Sequence, residues 1–159
     1  MGRVLKRLAA VRWADLSDAT GSAGGIPALL SRAAWADGPS SCAAIDELSD
    51  RLCALGFVVS EATPVTVPFL MELVGHPEAQ CRVEVIDLIA SIYKTTQWAD
   101  ASAAADPKYR SAFQEKVDWE ERAKDAVLAH KQVVEVLTQD GDREVAASAS
   151  QLLSLLSSG

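Results

Sequence analysis

Residues 63–93 read TPVTVPFLMELVGHPEAQCRVEVIDLIASIY, and this stretch decides the fold. Thr63 is an N-cap type and Pro64 suits the first helical position, where its missing N–H would lack a partner anyway. Pro68 falls inside that helix, where it deletes a hydrogen bond and favours a kink. Gly75 and Pro77 punctuate a turn. From Glu78 to Tyr93 the apolar side chains then fall on two faces: Val85, Leu88 and Ile92 on one, Ile86, Ile89 and Tyr93 on the other. A helix apolar on both sides lies between neighbours. The stretch therefore predicts two helices joined by a tight turn, at the centre of a larger stack.

Weaker copies of the pattern flank it. An offset of 64 residues pairs Leu70 with Val134, Leu73 with Leu137, Cys81 with Val145, Val85 with Ala149 and Leu88 with Leu152. Stepping back by 40 residues takes Leu70, Val85 and Leu88 to Leu30, Ile45 and Leu48. Three helical hairpins are expected, at about 26–55, 63–94 and 119–157. In the first, Ser40 and Ser41 are cap candidates, Ile45, Leu48, Leu52 and Leu55 form the apolar stripe, and Gly56 ends the helix. Residues 95–118 break the period as an insertion, loop-like from Thr95 to Asp106, with helix resuming at Pro107. Loops of this length in compact domains are mostly functional or mobile. Repeated hairpins cannot bury their faces alone and stack to share a core.

Composition agrees with a single all-α domain. Of 159 residues, 49% are apolar, enough to bury a core without staples. The net charge is −7, unevenly spread. Arg3, Lys6, Arg7 and Arg12 give the first thirteen residues a charge of +4, leaving −11 on the rest. That start is read as a first helix docked on the first hairpin, with Val4, Leu5 and Leu8 on its apolar side. The acidic body disfavours nucleic acid, whose backbone is bound by lysine and arginine. It suits a basic protein partner. No targeting segment and no membrane-spanning run is legible, so a cytoplasmic, membrane-free protein is expected. Nothing in the sequence indicates oligomeric state.

The three cysteines, Cys42, Cys53 and Cys81, contain no C-x-x-C. Cys42 and Cys53 fall on one expected helix about 16 Å apart, beyond the reach of a disulfide. All three are read as small buried hydrophobes of a reducing compartment. His76 falls in a turn beside Pro77 and His130 has no His, Cys or acid at helical spacing, so no metal site is expected. No nucleophile elbow, phosphate-cradling loop or dinucleotide fingerprint occurs, and no catalytic residue or cofactor is assigned.

Gly25-Ile26-Pro27-Ala28-Leu29-Leu30, then SEATPVTVPFLMELVGHP, then a second helix bearing Arg82, resembles the small HEAT-repeat proteins common in actinobacteria. Trp13-Ala14-Asp15-Leu16 and Gly21-Ser22-Ala23 also fit that family's opening. The resemblance implies a short α-solenoid with an interaction role and no particular reaction. It also implies that the second helices of the hairpins line the concave side. Asp46, Glu47 and Asp50 in the first copy, and Glu84, Asp87 and Ser91 in the second, would then form an acidic strip. Ser148, Gln151 and Ser154 would continue it in the third.

The expected function is non-catalytic binding of a basic protein partner through Asp46, Asp50, Glu84, Asp87 and Ser91, with Trp98 of the insertion. An immunity or antitoxin protein, or an accessory partner of an enzyme, fits that description. The alternative is a HEAT-like enzyme or ligand-binding protein. HEAT-like base glycosylases use tryptophans and a carboxylate in their groove, which Trp119-Glu120-Glu121 superficially matches.

Overall fold

The computed structural model describes residues 5–158, and the chain is mostly helical. Arg3 and Val4 of the basic start lie outside the described residues. From Leu5 onward the start is not a helix. It forms two short 3-10 turns, Leu8–Ala10 and Trp13–Asp15, followed by a small hairpin of β1 (Ser17–Asp18) and β2 (Gly21–Ser22). Short isolated helices are marginal in water, and here two buried anchors hold the segment instead. Trp13 packs on Phe69 with ring centroids 5.7 Å apart, and its indole N–H donates to the Leu8 carbonyl at 2.9 Å. The Leu5 N–H donates to the Glu72 carboxylate at 2.9 Å. Leu5 and Trp13 thus dock on the second expected hairpin, while Asp18 of β1 pairs with Arg51 of the first.

Helices α1 (Ile26–Trp35) and α2 (Gly38–Leu52) form the first hairpin. Its cap is Asp37, whose carboxylate accepts from the Ser40 N–H at 3.0 Å, and not Ser40 or Ser41. The Ser41 hydroxyl is buried instead and donates to the Ala33 carbonyl at 2.7 Å, tying α2 to α1. Helix α2 stops at Leu52, three residues before the expected Leu55. The chain turns into a second small hairpin, β3 (Cys53–Ala54) against β4 (Val58–Val59). Leu55 and Gly56 take positive φ of 58° and 86°, a conformation natural to glycine and strained for leucine. The β-branched pair Val58-Val59 supplies the returning strand.

Helix α3 (Ala62–Val74) contains Pro68 and is buried almost all round. Its Thr63 hydroxyl accepts from the Ser60 N–H at 2.9 Å and donates to the Leu52 carbonyl at 2.6 Å. Thr63 therefore fastens α3 to the end of α2 from inside the helix rather than capping it. Helix α4 runs from Arg82 to Lys94, four residues shorter at its start than expected. Pro77 to Gln80 form a turn, and Cys81 enters the helix in the left-handed conformation at φ 50°.

The expected loop after α4 is largely helical. Helix α5 (Gln97–Ala104) and a 3-10 helix at Pro107–Phe113 fill it, and α6 (Gln114–Ala129), α7 (Lys131–Leu137) and α8 (Arg143–Ser158) follow. Helix α3 packs against α1, α4 and α6, while α4 packs against α2, α6 and α8. One continuous hydrophobic cluster runs from Leu5 and Trp13 through Leu70 and Ile89 to Leu156. Arg82, at the start of α4, makes a two-pronged pair with Asp140 at 2.9 and 3.1 Å, joining α4 to the turn before α8. Among the described residues, no helix is long and apolar enough to cross a membrane.

Candidate functional site

Helices α2 and α4 lie side by side, and between them runs a groove of about 220 Å³. Ile45 and Leu88, both core residues, form its apolar floor, while Asp46 and Ser49 of α2 face Glu84, Asp87 and Ser91 of α4. The helical period explains the arrangement. Asp46 follows the buried Ile45, and Glu84 and Asp87 each precede a buried residue, so the carboxylates crown the walls of the groove. Burial raises the Asp87 carboxyl above its ordinary range, and the neighbouring Glu84 charge adds to this, against a smaller opposite pull from Lys94. Among the described residues, no lysine or arginine lines the groove. Its chemistry is that of a negatively charged slot that accepts hydrogen bonds from an ammonium or guanidinium group.

Four of the six expected binding residues, Asp46, Glu84, Asp87 and Ser91, meet in this groove. Asp50 is exposed one turn along α2 and does not line it. Ser148 and Gln151 do not line it either, and Ser154 borders a separate hollow of about 560 Å³ beside Thr138 and Gln139.

Trp98 is elsewhere again. It stands in the first turn of α5, not in a loop, and is half-buried. Its indole N–H donates to the Val59 carbonyl at 2.9 Å, and the Lys116 ammonium lies over its ring at 4.5 Å from the centroid. With Trp119 it borders a hollow of about 340 Å³ under the β3–β4 hairpin. Leu55, at the tip of that hairpin, is 84% exposed, and Phe57 is also exposed. The unusually apolar turn Ala54-Leu55-Gly56-Phe57 is the sequence signal for this patch.

Glu120 is buried at 3% exposure, and its two oxygens accept from the backbone N–H groups of Trp98 and Ala99. Asp18, also buried, is held by Arg51 at 3.0 Å and by the Thr20 N–H and hydroxyl.

The cysteines depart most from expectation. Cys42 and Cys81, 39 residues apart in sequence, form a disulfide with their Cα atoms 5.6 Å apart. The separation measured along one helix, Cys42 to Cys53, was irrelevant because the partner comes from the neighbouring helix. Cys53 is a free, buried thiol, which burial pushes up to about 11. Comparison with known proteins finds no matching family model, no matching curated protein and no matching solved structure.

Proposed function

We propose that this chain is a non-catalytic protein-binding module, a short HEAT-like stack of helical hairpins that engages a basic partner through the α2–α4 groove. The observation that carries this reading is the convergence of Asp46, Glu84, Asp87 and Ser91 over an apolar floor with no cation in the lining among the described residues. The stacked arrangement is supported by equivalent positions of the three copies. Leu30, Leu70 and Val134 are all buried, as are Ile45, Val85 and Ala149, and Leu48, Leu88 and Leu152. Helix α4 also lies against both α2 and α8, the second helices of the other two copies.

An acidic slot suits a partner presenting lysine or arginine, because complementary charge speeds association and rejects like-charged competitors. Neutralisation of a basic toxin, or attachment to a basic enzyme, is the role this charge serves. The enzymatic alternative has less support. Both Glu120 oxygens are committed to backbone N–H groups. A base glycosylase also needs a cationic surface for the phosphate backbone, which the groove lacks.

The test is affinity capture from the native host with wild-type protein and with the double variant Glu84→Lys/Asp87→Lys. Both side chains are exposed, so stability is expected to change by less than about 0.5 kcal/mol. Wild type is expected to retain a basic protein that the variant loses. Equal recovery of that protein by both would move the interface away from this groove.

A further inference from the structure

We propose that Cys42, Cys81 and Glu84 form a binding site for a thiophilic divalent cation of the zinc class, open when the two cysteines are reduced and closed when they are joined as a disulfide. The two sulfurs and a Glu84 carboxylate oxygen lie within 4.8 Å of one another. These three donors come from two packed helices: Cys42 from the first turns of α2, Cys81 from the entry to α4, and Glu84 one turn further along. Cys81 immediately precedes α4 and Glu84 lies in its first turn. Two thiolates and a carboxylate are a donor set that zinc accepts, with water completing the tetrahedron.

The surroundings favour a cation. The adjoining hollow, about 530 Å³, is also lined by Glu78, Asp142 and Glu144. Arg82 is the one cation in that lining among the described residues, and Asp140 already engages its guanidinium at 2.9 and 3.1 Å. Neither helix has to move far for the exchange of one state for the other, since both states need the same two sulfurs side by side.

The redox step balances through thiol–disulfide exchange. An external dithiol breaks the Cys42–Cys81 bond and is itself oxidised to a disulfide, so two electrons and two protons pass to the protein sulfurs. Binding of the cation then displaces those two protons. Reoxidation by an external disulfide re-forms the protein bond and expels the cation with its oxidation state unchanged, while the two external thiolates released take up two protons from solvent.

This inference does not rest on the partner-binding reading, although Glu84 borders both sites. The experiment is a titration of reduced full-length protein with cobalt(II) under argon, read by optical absorption. One equivalent is expected to produce thiolate-to-cobalt charge-transfer bands that zinc then removes. Oxidised protein and Cys42→Ser should show no such bands, and Cys53→Ala should keep them. Glu84→Gln, an exposed change that spares the fold, should weaken binding by more than the roughly 10- to 100-fold expected from losing an outer-shell partner. Absence of the bands in reduced wild type, or their persistence in Cys42→Ser, would overturn the site. An unchanged affinity in Glu84→Gln would overturn the role of the carboxylate.

Discussion

The carboxylate of Glu120 on α6 holds the first turn of α5 by accepting from the Trp98 N–H at 2.7 Å and from the Ala99 N–H at 3.0 Å. A helix start leaves its first N–H groups without partners, and here a side chain 22 residues away supplies the acceptor. The stretch Thr95–Asp106 has no capping box of its own, which is why it reads as a loop. With Glu120 in place it is a helix.

Removing that acceptor strands two donors in a partly buried setting. Glu120→Ala is expected to destabilise the protein by about 1–3 kcal/mol, the usual cost of an unsatisfied buried group. Urea unfolding measures it, and tryptophan fluorescence should show Trp98 becoming more exposed in the native baseline. A change below about 0.5 kcal/mol would mean that α5 is held by packing alone.

Ile89 is fully buried in the middle of α4, a helix that packs against α2, α3, α6 and α8. Truncation to alanine should cost about 2–5 kcal/mol, as at other well-packed isoleucines. The loss should appear as a lower urea midpoint with an unchanged slope.

The disulfide and the free thiol separate cleanly by reactivity. The Cys53 thiol, at about 11, is protonated at neutral pH and buried, so folded oxidised protein should show no fast reaction with an aromatic disulfide reagent. Mild reduction should release two reactive thiols, those of Cys42 and Cys81. Closing a loop of 39 residues should add about 3–4 kcal/mol to stability, so calorimetry should show a higher melting temperature without reductant.

The Arg82 guanidinium holds the Asp140 carboxyl below its ordinary value of 3.8, aided by a hydrogen bond from the Asp142 N–H. A depressed carboxyl contributes stability that is complete above the unfolded value and fades as pH falls through the lower folded value. The pair is partly exposed, so the contribution should be about 0.5–1 kcal/mol. Unfolding free energies of wild type and Asp140→Asn should therefore differ at neutral pH and converge in strong acid. A constant gap at every pH would assign the difference to something other than this ion pair.

Much of the helical layout is legible in the sequence. Val85, Leu88, Ile92, Ile86 and Ile89 are buried, as the two-faced pattern of α4 requires, and Tyr93 at the end of the second face is half-buried. Four of the expected groove residues share one wall-and-floor arrangement because each side chain's direction follows from the helical period. The ends of elements were less legible. Helix α2 stops at Leu52 because Val58-Val59 pairs back onto Cys53-Ala54, and α4 starts late because the Pro77 turn and the left-handed Cys81 intervene.

The sequence by itself determined the helical centres of the expected hairpins and which of their faces are apolar, because both depend on a period of a few residues along one chain; it did not determine α5 or the non-helical start. Tertiary structure alone decided which residues of different helices meet. Cys42 bonds to Cys81, Arg82 pairs with Asp140, Glu120 caps α5 and Asp46 faces Glu84 across separations of 22 to 58 residues. Those meetings are set by how buried side chains interlock between helices and by the turns that feed them, and no local periodicity encodes that register.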